Sequence, residues 1–137
     1  MPTSELKPGL IGQSQAVVKS QDLASAYGNV GVDVMSSMTL MTLLEQAAIA
    51  ALAPAMAPGQ MTVGARMEMD HLAPTPLGFT VTAQAELTEV AGRKLVFALT
   101  ASDGLDTVAK ATHVRYLVES ERFFKGIVDK SSRRPTR

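Results

Sequence analysis

The chain has no cysteine and no tryptophan, and only two histidines, two tyrosines and four phenylalanines in 137 residues. Without cysteine, disulfides, thiolate metal sites and cysteine nucleophiles are excluded. Neither sign of charge is in excess, because 13 Lys plus Arg balance 13 Asp plus Glu. A net charge of zero gives no general attraction to nucleic acid or to an anionic membrane, so neither is expected as a partner. The opening MPTSELKPGL lacks the basic start and apolar core of a signal peptide, and a cytoplasmic location is expected. The length fits a single domain over residues 1–137. A domain of this size buries about two-thirds of the surface its unfolded chain exposes.

Charge is also missing locally. Between Asp33 and Arg66 the only charged side chain is Glu45, in the run MTLLEQAAIAALAP. A membrane-spanning helix needs about 20 strongly apolar residues. Here the residues after Glu45 are mostly alanine, Pro54 and Pro58 interrupt them, and extension back to Met35 would centre the carboxylate. A buried helix is expected instead. It should start near Ser36 or Ser37, since serine is a good N-cap. It should end near Ala53, because Pro54 disfavours helix in the residue before it. Apolar residues lie almost all round it, which predicts burial on every face.

The remainder alternates with period two, the signature of strands. Residues 14–20 suggest a short first strand, and residues 24–34 are glycine-punctuated and read as irregular. In MTVGARMEMDH the apolar parity runs Met61, Val63, Ala65, Met67, Met69, His71, with Gly64 on the other face. Phe79 to Leu87, Leu95 to Ala101 and Thr107 to Val118 supply three further strands, separated by short turns such as Asp103-Gly104. Short turns imply antiparallel neighbours. The tail from about 126 to 137 reads as disordered. One long central helix wrapped by a curved antiparallel sheet is an α+β solution, the hot-dog architecture.

Three side chains are candidates for chemistry. Glu45 is either a carboxylate at the helix rim that reaches water or a tuned acid in an apolar pocket. His71 takes the apolar parity of its strand, so it can face the helix as an acid–base partner or sit as a core histidine. Ser37 is a candidate N-cap. It lies two turns before Glu45, roughly 12 Å along the axis, and Thr42 is the nearer hydroxyl on the helical wheel. Gly64, in mid-strand, marks a bulge or a close approach of backbone to ligand.

The stretches SMTLMTLLEQAA, VGARMEMDHLAPTPLG and SDGLDTVAKATHVR together resemble the fluoroacetyl-CoA thioesterase-like branch of the hot-dog thioesterases, over about Ser37 to Phe124. The resemblance implies a homodimer that hydrolyses small acyl-CoA thioesters with no metal and no other cofactor. By position it implies a catalytic set of Ser37, Glu45 and His71, with serine where the family has threonine, and it places the Gly64 backbone beside the substrate thioester. The family's fluoroacetate-specific enzyme carries a phenylalanine-bearing lid before the helix. Residues 24–34 here hold Tyr27 and no phenylalanine, so a different small or medium acyl group is expected. Arg66, Arg93, Lys94, Arg115 and Lys125 are surface cations available to CoA phosphates, and His113 reads as structural. The alternatives are a hot-dog hydratase or dehydratase, a non-catalytic acyl-CoA-binding module, and a structural dimer.

Overall fold

The computed structural model describes Pro2 and residues 4–135. Strand β1 (Ile11–Val17) precedes helix α1 (Ser37–Leu52), followed by β2 (Gln60–His71), β3 (Thr80–Ala91), β4 (Lys94–Ser102), β5 (Thr107–Glu119) and helix α2 (Ser120–Ser132). All strand pairs are antiparallel, in the order β1-β3-β4-β5-β2. The sheet curves around α1, as the hot-dog reading requires.

The core is what the alternation dictates. Val81, Ala83, Ala85 and Leu87 of β3 and Leu95, Phe97, Leu99 and Ala101 of β4 are buried against Leu40, Leu44, Ala47, Ala48 and Ala51 of α1. Alanine on the helix permits close approach. At Gly12 of β1 a Cβ would collide with the backbone of Ala47 and Ala51, so helix and strand touch main chain to main chain. Residues 37–55 are apolar and long enough to span a bilayer, but the inward side of this stretch is sheet core.

Four expectations need correction. The helix is not buried all round: Met38 and Ile49 are about half exposed, on the side of α1 that also carries Glu45. β2 does not pair with β3. Its partner is β5, and residues 72–79 carry the chain across to the far part of the sheet. That connection holds two prolines, and its Thr75 carbonyl bonds the Met35 amide ahead of α1, so it serves the helix entrance rather than a hairpin. The tail expected from residue 126 is helical through Ser132, and residues 136–137 lie outside the described residues.

The fourth correction bears on the site. The β2–β5 register shifts between Gly64 and Arg66, a bulge at Ala65. One extra residue exchanges the two faces of the strand. Met67, Met69 and His71 face α1 as read, but before the bulge the inward residues are Thr62 and Gly64. They stand opposite Leu117 and Arg115, while Met61 and Val63 oppose Val118 and Tyr116 on the outer face.

Candidate active site

Helix α1 begins with two serines, and they divide two duties. Ser36 is the N-cap. Its Oγ accepts the Thr39 amide at 3.0 Å and donates to the Thr39 hydroxyl at 2.8 Å. Ser37 is thereby free of the capping role that its sequence suggested, and its Oγ lies 2.8 Å from His71 Nδ1. His71, the last residue of β2, stands opposite Ala109 with its ring on the helix side. Thr42, favoured by wheel geometry, donates its hydroxyl to the Met38 carbonyl at 3.1 Å within the helix. Beside His71 opens a pocket of about 280 Å³ lined by Val34, Leu72, Ala73 and Pro74.

Glu45 is held by a different set. Arg115 Nη1 donates to Glu45 Oε2 at 2.7 Å. The same guanidinium donates through Nε to the Thr62 hydroxyl at 2.9 Å and through Nη2 to the Thr62 carbonyl at 3.0 Å. Arg115 is therefore a buried, fully engaged clamp and not a surface cation for CoA phosphates. Its planar fork reaches four acceptors, on Glu45, Thr62 and His113, which lysine cannot do. His113, two residues earlier on the same face, is also buried. Its Nδ1 donates to the Arg66 carbonyl at 2.7 Å, leaving Nε2 to accept from Arg115 Nη1 at 3.3 Å, with Glu45 Oε2 3.8 Å away. Burial, with the charge of Arg115 adding to it, pulls the His113 pKa below its ordinary value against the opposing pull of the Arg66 carbonyl and Glu45. His113 is thus a neutral acceptor that steadies the guanidinium.

Gly64 completes this set by what it lacks. A Cβ there would stand 2.5 Å from Glu45 Oε2, 3.3 Å from Arg115 Nη1 and 3.5 Å from His113 Cε1. The glycine makes room for the carboxylate, and the adjoining bulge turns it toward the helix. Glu45 keeps 43% of its side chain exposed in the single chain, so the anchored carboxylate still presents a face for chemistry.

The structure therefore brings Ser37 to His71, and Glu45 to Gly64, Thr62, Arg115 and His113. It does not bring Glu45 to Ser37 or His71: among the described residues of one chain, no hydrogen bond joins the two groups. Arg115 and His113 were not recognised as the partners of Glu45 from sequence, nor Thr62 as a partner of Arg115. The signal was present in β5, where Ala109, Ala111, His113 and Arg115 share the inward parity opposite His71, Met69, Met67 and Gly64. Among the described residues no three acidic or imidazole side chains gather as a metal site. A larger depression of about 410 Å³ lies on the outer sheet face between Glu68, Asp70, Glu86 and Lys110, across the sheet from these groups.

Solved structures similar to this chain include the fluoroacetyl-CoA thioesterase FlK, 28% identical with a TM-score of 0.83 over 93% of this chain and 98% of that one. A threonine-to-serine mutant of FlK in complex with acetyl-CoA is 30% identical with a TM-score of 0.84, over 91% and 98%. A hot-dog-like protein from Thermanaerovibrio acidaminovorans is 25% identical with a TM-score of 0.83, over 95% and 94%. No curated protein sequence matches the chain. The family model described as fluoroacetyl-CoA-specific thioesterase, FlK, matches residues 18–121, a stretch that contains every residue of both groups, and the chain belongs to that family of thioester hydrolases.

Proposed function

We propose that this protein hydrolyses a small or medium acyl-CoA thioester to the free acid and CoA, using Glu45, His71 and Ser37 and no metal. The observation that carries the reading is the 2.8 Å Ser37–His71 hydrogen bond beside a pocket, in a chain of this family. Glu45 acts as base on a water, or attacks the thioester carbonyl itself to give an anhydride that water then opens. In the first route the carboxylate takes a proton from water, hydroxide adds to the carbonyl carbon, and the C–S bond breaks as the tetrahedral intermediate collapses. The sulfur needs a proton as it leaves. If Ser37 donates its hydroxyl hydrogen to His71 Nδ1, the ring carries its proton on Nε2, passes it to the thiolate and takes back the proton that Glu45 removed from water, which restores both the imidazole and the carboxylate. The Gly64 backbone lies against Glu45 and is the proposed neighbour of the bound thioester.

The working unit is proposed to be a homodimer. Among the described residues no strand pairs with the outer edge of β2, and Met38 and Ile49 leave the adjacent side of α1 apolar and open. Pairing there supports a site in which Glu45 of one protomer serves the Ser37–His71 pair of its partner. Fluoroacetyl is not the favoured acyl group, since residues 24–34 hold no phenylalanine. The test is thiol release from a panel of acyl-CoAs, from acetyl through medium chain and including fluoroacetyl. Turnover of short or medium thioesters supports the reading. Saturable binding with no thiol released from any of them overturns it in favour of an acyl-CoA-binding module.

A further inference from the structure

Thr75 and Asp103 are buried polar residues outside the site, from segments 28 positions apart, and Thr75 Oγ1 donates to Asp103 Oδ2 at 3.0 Å. Asp103 serves two clients with two oxygens. Oδ1 accepts the amides of Leu105 and Asp106 at 3.0 and 2.9 Å and so builds the β4–β5 turn. The turn has no need of Oδ2, which points away from it at the Thr75 hydroxyl. These donors, the Asp106 amide foremost, hold the Asp103 carboxyl below its ordinary pKa in spite of burial, so the acceptor stays charged.

Thr75 is also bonded on its other side. Its carbonyl accepts the Met35 amide at 2.8 Å, and the adjoining Pro76 bridges Val34. Met35 lies two residues before Ser37, and Thr75 lies four residues after His71. The irregular segment between β2 and β3 is thus tied at one residue to the turn below it and to the entrance of α1 beside it. The Leu72 amide, bonded to the Val108 carbonyl at 2.8 Å, fixes the same segment at its start. Ser37 and His71 come from different elements, and this tie sets the relative position of the two chain segments that carry them.

We propose that Thr75 and Asp103 are positioning residues that hold the Ser37 hydroxyl against His71 Nδ1. For its catalytic consequence the proposal rests on the thioesterase reading; for its geometry it does not. A displacement of the hydroxyl of the order of 1 Å is enough to cost about 100-fold in a positioned reaction.

The experiment compares wild type, Thr75→Val, Thr75→Ala and Thr75→Ser. Thr75→Val removes the hydroxyl at nearly constant shape, and Thr75→Ser restores it. Thr75→Ala removes the same hydroxyl with a smaller side chain, and it tests the same link should Thr75→Val not fold. Because the chain has only two histidines, imidazole nitrogen NMR resolves both, and His113 serves as an internal control. The expected result is that the His71 nitrogens shift in Thr75→Val and Thr75→Ala, that those of His113 do not, and that Thr75→Ser returns the wild-type signal. On the best acyl-CoA, kcat should fall about 10- to 100-fold with KM little changed, and recover in Thr75→Ser. Unchanged His71 signals in both disrupting variants overturn the proposal, as does movement of both histidines together, which would mean general loosening. If wild type releases no thiol, the thioesterase reading fails, while the His71 signals still decide the positioning role.

Discussion

The carboxylate of Glu45 and the guanidinium of Arg115 meet at 2.7 Å although 70 residues separate them in the chain. This contact accounts for a lone acid in the most apolar stretch of the sequence. The helix supplies the carboxylate, the far end of the sheet supplies the cation, and a missing side chain at Gly64 leaves space for them. Arg115→Lys keeps the charge but loses the fork that spans Thr62 and Glu45. The variant should lose about 1–3 kcal/mol in urea denaturation, from the charge-assisted hydrogen bonds to half-buried Thr62 that lysine leaves unmade. Its kcat should fall about tenfold or more, as Glu45 loses its fixed position.

Gly64→Ala separates room for the carboxylate from room for the fold. Gly64 has no positive φ, so alanine is compatible with its backbone. The new methyl would still sit 2.5 Å from Glu45 Oε2 and must displace it. Thiol release should drop about 100-fold while circular dichroism and the melting temperature are retained. Normal turnover would mean that the carboxylate works from a position other than the one beside Gly64.

A shared site makes a prediction that a site within one chain does not. Glu45→Gln and His71→Ala should each be inactive as pure proteins. Co-refolded together, they should regain activity, because a mixed dimer holds one site with both residues intact. Absence of recovery, with mixed dimers demonstrated by mass spectrometry, would place Glu45 and His71 of the same chain in one site.

His113 predicts a pH dependence of stability. A histidine whose folded pKa lies below 6.5 binds its proton more readily in the unfolded chain. Its contribution is therefore complete above 6.5 and is lost as pH falls from there through the folded value. Asp103, whose folded pKa is depressed, acts in a lower window and loses its contribution only as pH falls below 3.8. Melting curves should show wild type weakening in the upper window and His113→Gln weakening less there. Parallel curves would assign the acid sensitivity to other groups.

Much of the fold was legible in residue order. The run from Ser37 to Leu52 could only be a core helix, and the alternation in β3 and β4 named their buried faces correctly. β2 was half legible. Counting parity through MTVGARM puts Met61 and Val63 inward, but the bulge at Ala65 reverses them, and a bulge is a property of the pairing with β5 that no single strand displays. Glu45 and Gly64 stood out because each breaks a local pattern and His71 because it takes the apolar parity of its strand, whereas Ser37, a candidate N-cap by position, was singled out over Thr42 only through the family resemblance. Arg115 and His113 did not, since charged and polar residues are ordinary in a strand with a solvated face. Only the register opposite β2 shows that theirs is the inward face.

The central claim is that Glu45 performs the bond-breaking chemistry on a thioester. The direct measurement is single-turnover thiol release by wild type and Glu45→Gln at saturating acyl-CoA. Glutamine keeps the shape and a hydrogen bond to Arg115 but cannot act as base or nucleophile. The account predicts that Glu45→Gln binds substrate normally and releases thiol about 10²–10⁴-fold more slowly. A Glu45→Gln protein that releases thiol at the wild-type rate would contradict it and leave the carboxylate a structural partner of Arg115.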